Sequence, residues 1–338
     1  MGRMLNSGKR CVFILPYFGK FNNYFPLFLK SCGRNKAYDW MIFTDCKEKY
    51  KYPSNVHIIQ MTLNELKKIA EKKLGISISM ETPYKLCDYK PSYGIIFEEY
   101  IEKYEYWGHC DCDLIFGNLD LILTPLLEEG YDKIFAAGHL TLYKNTYDNN
   151  RRFMKKYQGE ELYKKFFQTD EICVFDEDCV GGKNPEKKNV HAIFLMDKAK
   201  VYARDLSMNT STTSGMLVNE YYDEKKREFV KEKYIPRRYY WNAGNLFSLE
   251  WDSANDKIIS KEYLYIHLQM RKMRLKNAVE KYDKFQILPD RFIPVKEIPR
   301  NKKELKVRSI RRTYYFWFDF YEKKVRRKIN KTLHSKKV

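Results

Sequence analysis

The chain has 338 residues, 44% hydrophobic and 16% aromatic, enough apolar material for one large folded domain with insertions and too much for a disordered chain. Its formal net charge of +19 is uneven, because 300–338 carries 15 Lys and Arg against 3 acidic residues and leaves +7 for the rest. No run approaches the roughly 18 apolar residues needed to span a bilayer, and the apolar run Cys11–Leu15 is too short for a signal-peptide core. Position six is Asn6, not the Ser or Thr of a myristoylation signal, so a cytoplasmic location is expected.

In chain order, Cys11–Leu15 reads as a short buried strand, 21–32 as a helix, Trp40–Phe43 as a second strand closed by Thr44-Asp45, and Val56–Ile59 as a third. Leu63–Leu74 has helical spacing at 63, 66, 69, 70 and 74, and Leu86–Ile101 should contain a further helix after the Lys90-Pro91 break. The strand formers of Tyr104–Trp107 lead to His109-Cys110-Asp111-Cys112-Asp113. A helix is expected over Leu119–Glu128, then strand-like runs at 133–137 and 140–143 around Gly138-His139. The stretch from Gly181 to Arg237 is polar and patchy, a region of loops and excursions, and strand character returns at 239–249 and 263–267. This alternation predicts an α/β fold, a mainly parallel sheet flanked by helices that binds ligands at the carboxyl ends of its strands.

Asp111 and Asp113 carry the chemistry. Side chains at i and i+2 leave a strand on one face, so two carboxylates converge where the strand ends and can hold a hard divalent cation against phosphate oxygens. A solvated turn or cap pair is the equal alternative on spacing alone. The intervening Cys110 and Cys112 should face the packing side. The eight cysteines (11, 32, 46, 87, 110, 112, 173 and 179) show no C-x-x-C spacing and read as reduced and structural. Neither G-x-x-x-x-G-K-[ST] nor G-x-G-x-x-G occurs, which removes the P-loop and dinucleotide readings.

As an ordered set, Ile14-Leu15-Pro16-Tyr17-Phe18-Gly19, Ile42-Phe43-Thr44-Asp45, Pro83 to Pro91, Trp107 to Asp113, Gly138-His139-Leu140 and Phe175-Asp176-Glu177 resemble a group of bacterial proteins assigned as GT-A-fold glycosyltransferases and associated with surface-polysaccharide gene sets. The resemblance covers roughly 10–270. It implies a Rossmann-like GT-A domain over 1–299, with a nucleotide-sugar half at about 10–137 and an acceptor half at about 138–299, followed by a basic segment over 300–338. It also implies Mn²⁺ or Mg²⁺ bridging the phosphates of a nucleotide-sugar, UDP-linked by expectation, and stabilising the departing diphosphate.

By the same resemblance Asp113 is the direct metal ligand, and Asp111 reaches the sugar, the ribose or the metal through water. His267 completes the coordination, while Arg271 and Lys272 meet phosphate oxygens. From the residues alone a buried strand histidine is the commoner reading of His267. Lys85, Asp88 and Lys90 lie on the segment expected to contact ribose, sugar and phosphate, with a solvated helix start as the alternative. Tyr17 and Asp45 sit at the first two strand ends, where the base would stack and hydrogen-bond. For the transfer step the candidates are Asp176 and Glu177, with Asp178 behind them; His139 either lines the same pocket or packs beneath it. The acceptor would be a glycan or lipid-linked oligosaccharide.

In the tail, Val307, Ile310, Tyr314, Trp317, Tyr321, Val325 and Ile329 recur at three- and four-residue steps among Lys and Arg. Such a basic amphipathic helix suits an anionic membrane surface and would make the protein peripheral on the inner face of the cell membrane; packing on the domain is the alternative. Two other classes compete. A metal-dependent phosphohydrolase or nuclease also uses clustered aspartates, though commonly more of them. A nucleic-acid-binding protein would use the positive charge, but no recognition signature appears, and no nucleic-acid partner is expected.

Overall fold

The computed structural model describes residues 9–307 and 316–325. Its first strands, β1 (Cys11–Pro16), β2 (Tyr38–Thr44), β3 (Val56–Gln60) and β4 (Tyr106–Cys110), run parallel in the order β3-β2-β1-β4. β1 is a continuous apolar run because a parallel strand is covered on both faces: Val12 and Ile14 pack to one side, Phe13 and Leu15 to the other. β5 (Leu114–Phe116) turns out of this sheet. β6 (Lys133–Ile134), β7 (Leu140–Lys144) and β8 (Val201–Tyr202) complete seven strands, with β7 antiparallel to both β4 and β6. The expected α/β architecture with a parallel-rich sheet is present.

Local signals set several boundaries. The helix Leu63–Leu74 opens on a reciprocal capping box between Thr62 and Glu65 and stops at Gly75, which is left-handed at φ 67°. The helix Leu119–Glu128 begins at Asn118, whose side chain accepts from the Leu121 N–H. Both spans match the sequence expectation. The helix expected over 21–32 forms at Phe25–Arg34, with proline in its first turn.

Other expectations fail for identifiable reasons. The helix expected after the Lys90-Pro91 break forms only as two single turns, Tyr93–Ile96 and Glu98–Ile101, split by Phe97, which is out of helical geometry. The strand read over 133–137 ends at Ile134 because Phe135 adopts φ 72°. The stretch read as loops holds β9 (Met208–Asn209), a hairpin of β10 (Glu220–Asp223) and β11 (Glu228–Lys231), and the helix Val190–Met196 capped by Asn189.

A second, six-stranded sheet follows. β12 (Arg238–Asn242) and β13 (Asn245–Asp252) form a hairpin through Ala243-Gly244, both at positive φ, within the stretch of strand character expected over 239–249. They are joined by β14 (Lys257–Glu262), β16 (Arg274–Leu275), β17 (Lys284–Leu288) and β18 (Arg291–Pro294). Between β14 and β16, β15 (Tyr265–His267) leaves to pair antiparallel with β5 and parallel with β9. That three-stranded sheet sits beside the carboxyl end of β4 and joins the two larger ones.

Of the tail stripe, Ile310, Tyr314 and Ile329 lie outside the described residues. Trp317, Tyr321 and Val325 lie on a helix over 316–325 and are exposed. Among the described residues no helix is long and apolar enough to cross a membrane.

Candidate functional site

Because β1 and β4 are parallel, their carboxyl ends open at one edge of the sheet, and a cleft of about 1300 Å³ lies there. Asp111 and Asp113 follow β4 directly. Cys110, at the end of β4, and Cys112, in the turn that follows, are both buried in the core shared with Phe13 and Phe116.

The β5–β15 pairing places His267 opposite Leu114, next to Asp113, and the Leu268 N–H donates to the Asp113 carbonyl at 3.1 Å. Ligand atoms of Asp111, Asp113 and His267 consequently lie within 4.8 Å of one another. His267 Nε2 is 3.3 Å from Asp113 Oδ1 and 3.8 Å from Asp111 Oδ2. Its Nδ1 bonds Asn209 Oδ1 at 2.9 Å, and the same oxygen accepts from Gln269 Nε2 at 2.8 Å. An amide oxygen accepts only, so Nδ1 carries a proton and Nε2 is the ring nitrogen turned toward the carboxylates. Two carboxylate oxygens and one imidazole nitrogen, oriented by a second layer, are a donor set that fits Mn²⁺ or Mg²⁺. Burial raises the Asp113 carboxyl, but His267 and the Met270 N–H outweigh it and hold the group low. Burial likewise lowers His267, and Asp113 then Asp111 overcome it and raise the imidazole.

Lys90 links the Asp111–Asp113–His267 group to Asp176 and Glu177. Its Nζ donates to Asp111 Oδ1 at 2.9 Å and to the Gly138 carbonyl at 2.8 Å, and lies 3.2 Å from Asp176 Oδ2. A Cβ at Gly138 would stand 2.4 Å from Asp176 Oδ2, so a larger residue there would displace that carboxylate. Its N–H donates to Glu177 Oε1 at 3.0 Å. Asp176 is buried, and burial pushes its carboxyl up to about 7, with Lys90 pulling the other way. His139 lies against His267 with ring centroids 4.5 Å apart and the planes tilted by 35°; its Nδ1 bonds the Tyr265 hydroxyl at 2.8 Å. Asp178 is turned away, held by both arms of Arg227 and by Tyr222 and Asn189.

The remaining sequence candidates divide. Tyr17 lines the cleft, stacked on Phe21 at 4.7 Å. Arg271 lines it too, but its guanidinium donates to the carbonyls of Ser211, Ser214 and Pro289 and lies 4.5 Å from the Phe316 ring. Lys272 pairs with Asp319 at 2.8 Å. Asp45 is exposed outside the cleft lining, accepting from the Gly19 N–H at 2.7 Å. Lys85 and Asp88 are not brought to the cleft at all. Lys85 Nζ donates to Asp88, to the Phe166 carbonyl and to the Glu171 carbonyl, while Asp88 accepts from the N–H groups of Cys173 and Phe175. Their contacts are those of a buried lock between two chain segments, not of groups open to a nucleotide.

Asn209 escaped the sequence reading because a two-residue strand has no period to detect. Tyr84 and Val174, which also line the cleft, lay inside or beside quoted motifs without a role.

Residues 13–296 match the model of a family described as "Family of unknown function (DUF6625)". No curated protein matches the chain. Solved structures with some likeness include a galactosyltransferase, LgtC, in complex with donor and acceptor sugar analogs, at 10% identity over 59% of this chain and 75% of that one, with a TM-score of 0.32. Another is the glycosyltransferase GlyE of Streptococcus pneumoniae TIGR4, at 13% identity over 58% of this chain and 45% of that one, with a TM-score of 0.28. The match spans under half the length of the GlyE chain. Likenesses this low bear no weight on function.

Proposed function

For this chain, which belongs to the DUF6625 family of unknown function, we propose the activity of a metal-dependent GT-A-type glycosyltransferase. It takes a sugar from a nucleotide-diphosphate donor, UDP-linked in this reading, to a glycan or lipid-linked acceptor in surface-polysaccharide synthesis. The observation that carries the reading is the Asp111–Asp113–His267 group at the carboxyl edge of parallel strands, joined through Lys90 to a buried Asp176.

In this reading Asp111, Asp113 and His267 would hold Mn²⁺ or Mg²⁺, which would supply Lewis-acid charge for a departing diphosphate. Asn209 keeps His267 in the ligating tautomer. Tyr17, with Phe18 and Gly19 after it, forms the base side of the cleft. Lys90 adds a fixed cation near the bond that breaks and orients Asp111 and Asp176 toward the sugar. Asp176 and Glu177 face the reacting carbon and the acceptor. A carboxyl that titrates near neutrality can accept the acceptor hydroxyl's proton. The nucleotide half would span about 10–137 and the acceptor half about 138–299.

The helix over 316–325 borders the cleft through Phe316, Asp319 and Phe320 and leaves Trp317, Phe318, Tyr321 and Val325 exposed. With the positive charge of 300–338, this supports docking of the cleft mouth on an anionic membrane surface, on the inner face of the cell membrane.

The test is a thermal-shift series with UDP and Mn²⁺, separately and together, followed by UDP release from UDP-sugars with and without acceptor glycan. Melting should rise most with both ligands. Release that is rapid without acceptor and unchanged by it would assign the site to a hydrolase.

A further inference from the structure

The buried lock of Lys85 and Asp88 shapes a surface that the reading above leaves unused. Asp88 accepts from the N–H of Cys173 at 3.0 Å and of Phe175 at 2.9 Å, the two residues that flank Val174. Held on both sides, Val174 adopts φ 54°, a left-handed conformation that a β-branched side chain avoids. Cys173 and Phe175 go into the core, while Ile172, Val174 and Asp176 line the cleft. On the other half of the lock, Lys85 is pinned to the carbonyls of Phe166 and Glu171, and its neighbour Tyr84 stands 75% exposed at the cleft. Val180, 62% exposed, extends the same wall.

Tyr84, Ile172, Val174 and Val180 give this cleft an aromatic ring and three aliphatic side chains, an apolar shelf in the same lining as Asp176, Lys90 and Asp111. A ligand that fits must be apolar on one face and carry hydroxyl groups at its edge. A pyranose ring has that form: axial C–H groups cover an aromatic face, and the rim hydroxyls meet carboxylates. An acyl or prenyl chain would leave the Asp176 end of the shelf unmatched.

We propose that Tyr84, with Ile172, Val174 and Val180, is the docking shelf for a hexopyranoside ring of the acceptor, held rigid by the Lys85–Asp88 lock. The assignment rests on the glycosyltransferase reading for the word acceptor, and only on the shelf for the word hexopyranoside. Tyr84 is a substrate-binding residue here, and Asp88 a positioning residue.

Saturation-transfer NMR on the full chain, with methyl β-D-galactopyranoside and methyl β-D-glucopyranoside as probes and UDP–Mn²⁺ present, tests it. At least one glycoside should show transfer to its C–H protons, and Tyr84→Ala should weaken that binding at least fivefold. Tyr84→Phe, which keeps the ring, should retain binding within about twofold, and both variants should keep the UDP–Mn²⁺ melting shift. Equal glycoside binding by Tyr84→Ala overturns the proposal, as does the absence of binding by the unaltered protein. Loss of UDP affinity in Tyr84→Ala also overturns it, making the shelf a nucleobase platform, and so does binding of dodecyl phosphate in place of both glycosides. If UDP–Mn²⁺ gives no shift while glycoside binding depends on Tyr84, the donor reading fails and the shelf stands.

Discussion

Asn209 Oδ1 and His267 Nδ1 are 2.9 Å apart, on strands that pair only because β15 leaves its own sheet. The amide oxygen fixes the imidazole ring from behind, so in the proposed function Asn209 would act on a bound cation only through His267. Asn209→Ala should weaken Mn²⁺ binding about 10- to 100-fold, measured calorimetrically in the presence of UDP. Asp113→Ala should abolish that binding while the fold persists. Chelation by EDTA should return the unaltered protein to its metal-free melting temperature.

The Lys85–Asp88 pair predicts a stability effect separate from ligand binding. Asp88→Ala removes a buried partner and strands both the ammonium of Lys85 and the N–H groups of Cys173 and Phe175. Loss of one member of such a pair costs about 3–5 kcal/mol. Urea midpoints should fall accordingly, with UDP–Mn²⁺ affinity retained in the folded fraction. A tenfold loss of UDP affinity at unchanged stability would return these residues to nucleotide binding.

Asp176 predicts a pH dependence of known sign. Burial lifts its folded-state carboxyl to about 7, above the ordinary aspartate value near 4. Between those values the folded chain holds a proton that the unfolded chain has released. Its stabilising contribution is therefore complete below about pH 4 and lost as pH rises through 7. Asp176→Asn removes this titration. The melting temperature of the unaltered protein should fall relative to the variant between pH 4.5 and 7.5; a constant difference would refute it.

The helix over 316–325 predicts a surface property. Replacing Trp317, Phe318 and Tyr321 together by Ser should reduce sedimentation with vesicles containing phosphatidylserine by at least tenfold. The UDP–Mn²⁺ melting shift should be unchanged. Added salt should weaken the unaltered protein's binding as lysine and arginine contacts are screened.

Local periodicity made part of this readable in advance. Leu63–Leu74 and Leu119–Glu128 carry their own caps and apolar spacing, so each span follows from a dozen neighbouring residues. The helix expected within Leu86–Ile101 breaks into four-residue turns, none of which could stand alone. Lys85 and Asp88, three residues apart, had the appearance of binding residues because charge is conspicuous in a sequence and burial is not.

From the amino-acid order alone came the α/β character, the exit of Asp111 and Asp113 on one face with Cys110 and Cys112 on the other, and the concentration of positive charge after residue 300. These follow from steric rules between near neighbours, which hold whatever the rest of the chain does. Tertiary structure alone decided that β5 pairs with β15 and β15 with β9, and so that His267 and Asn209 stand beside Asp113. It also decided that Lys90 spans Asp111 and Asp176 while Lys85 is sealed inside. Contacts between residues distant in sequence are selected by the joint packing of whole sheets, and no local pattern records that choice.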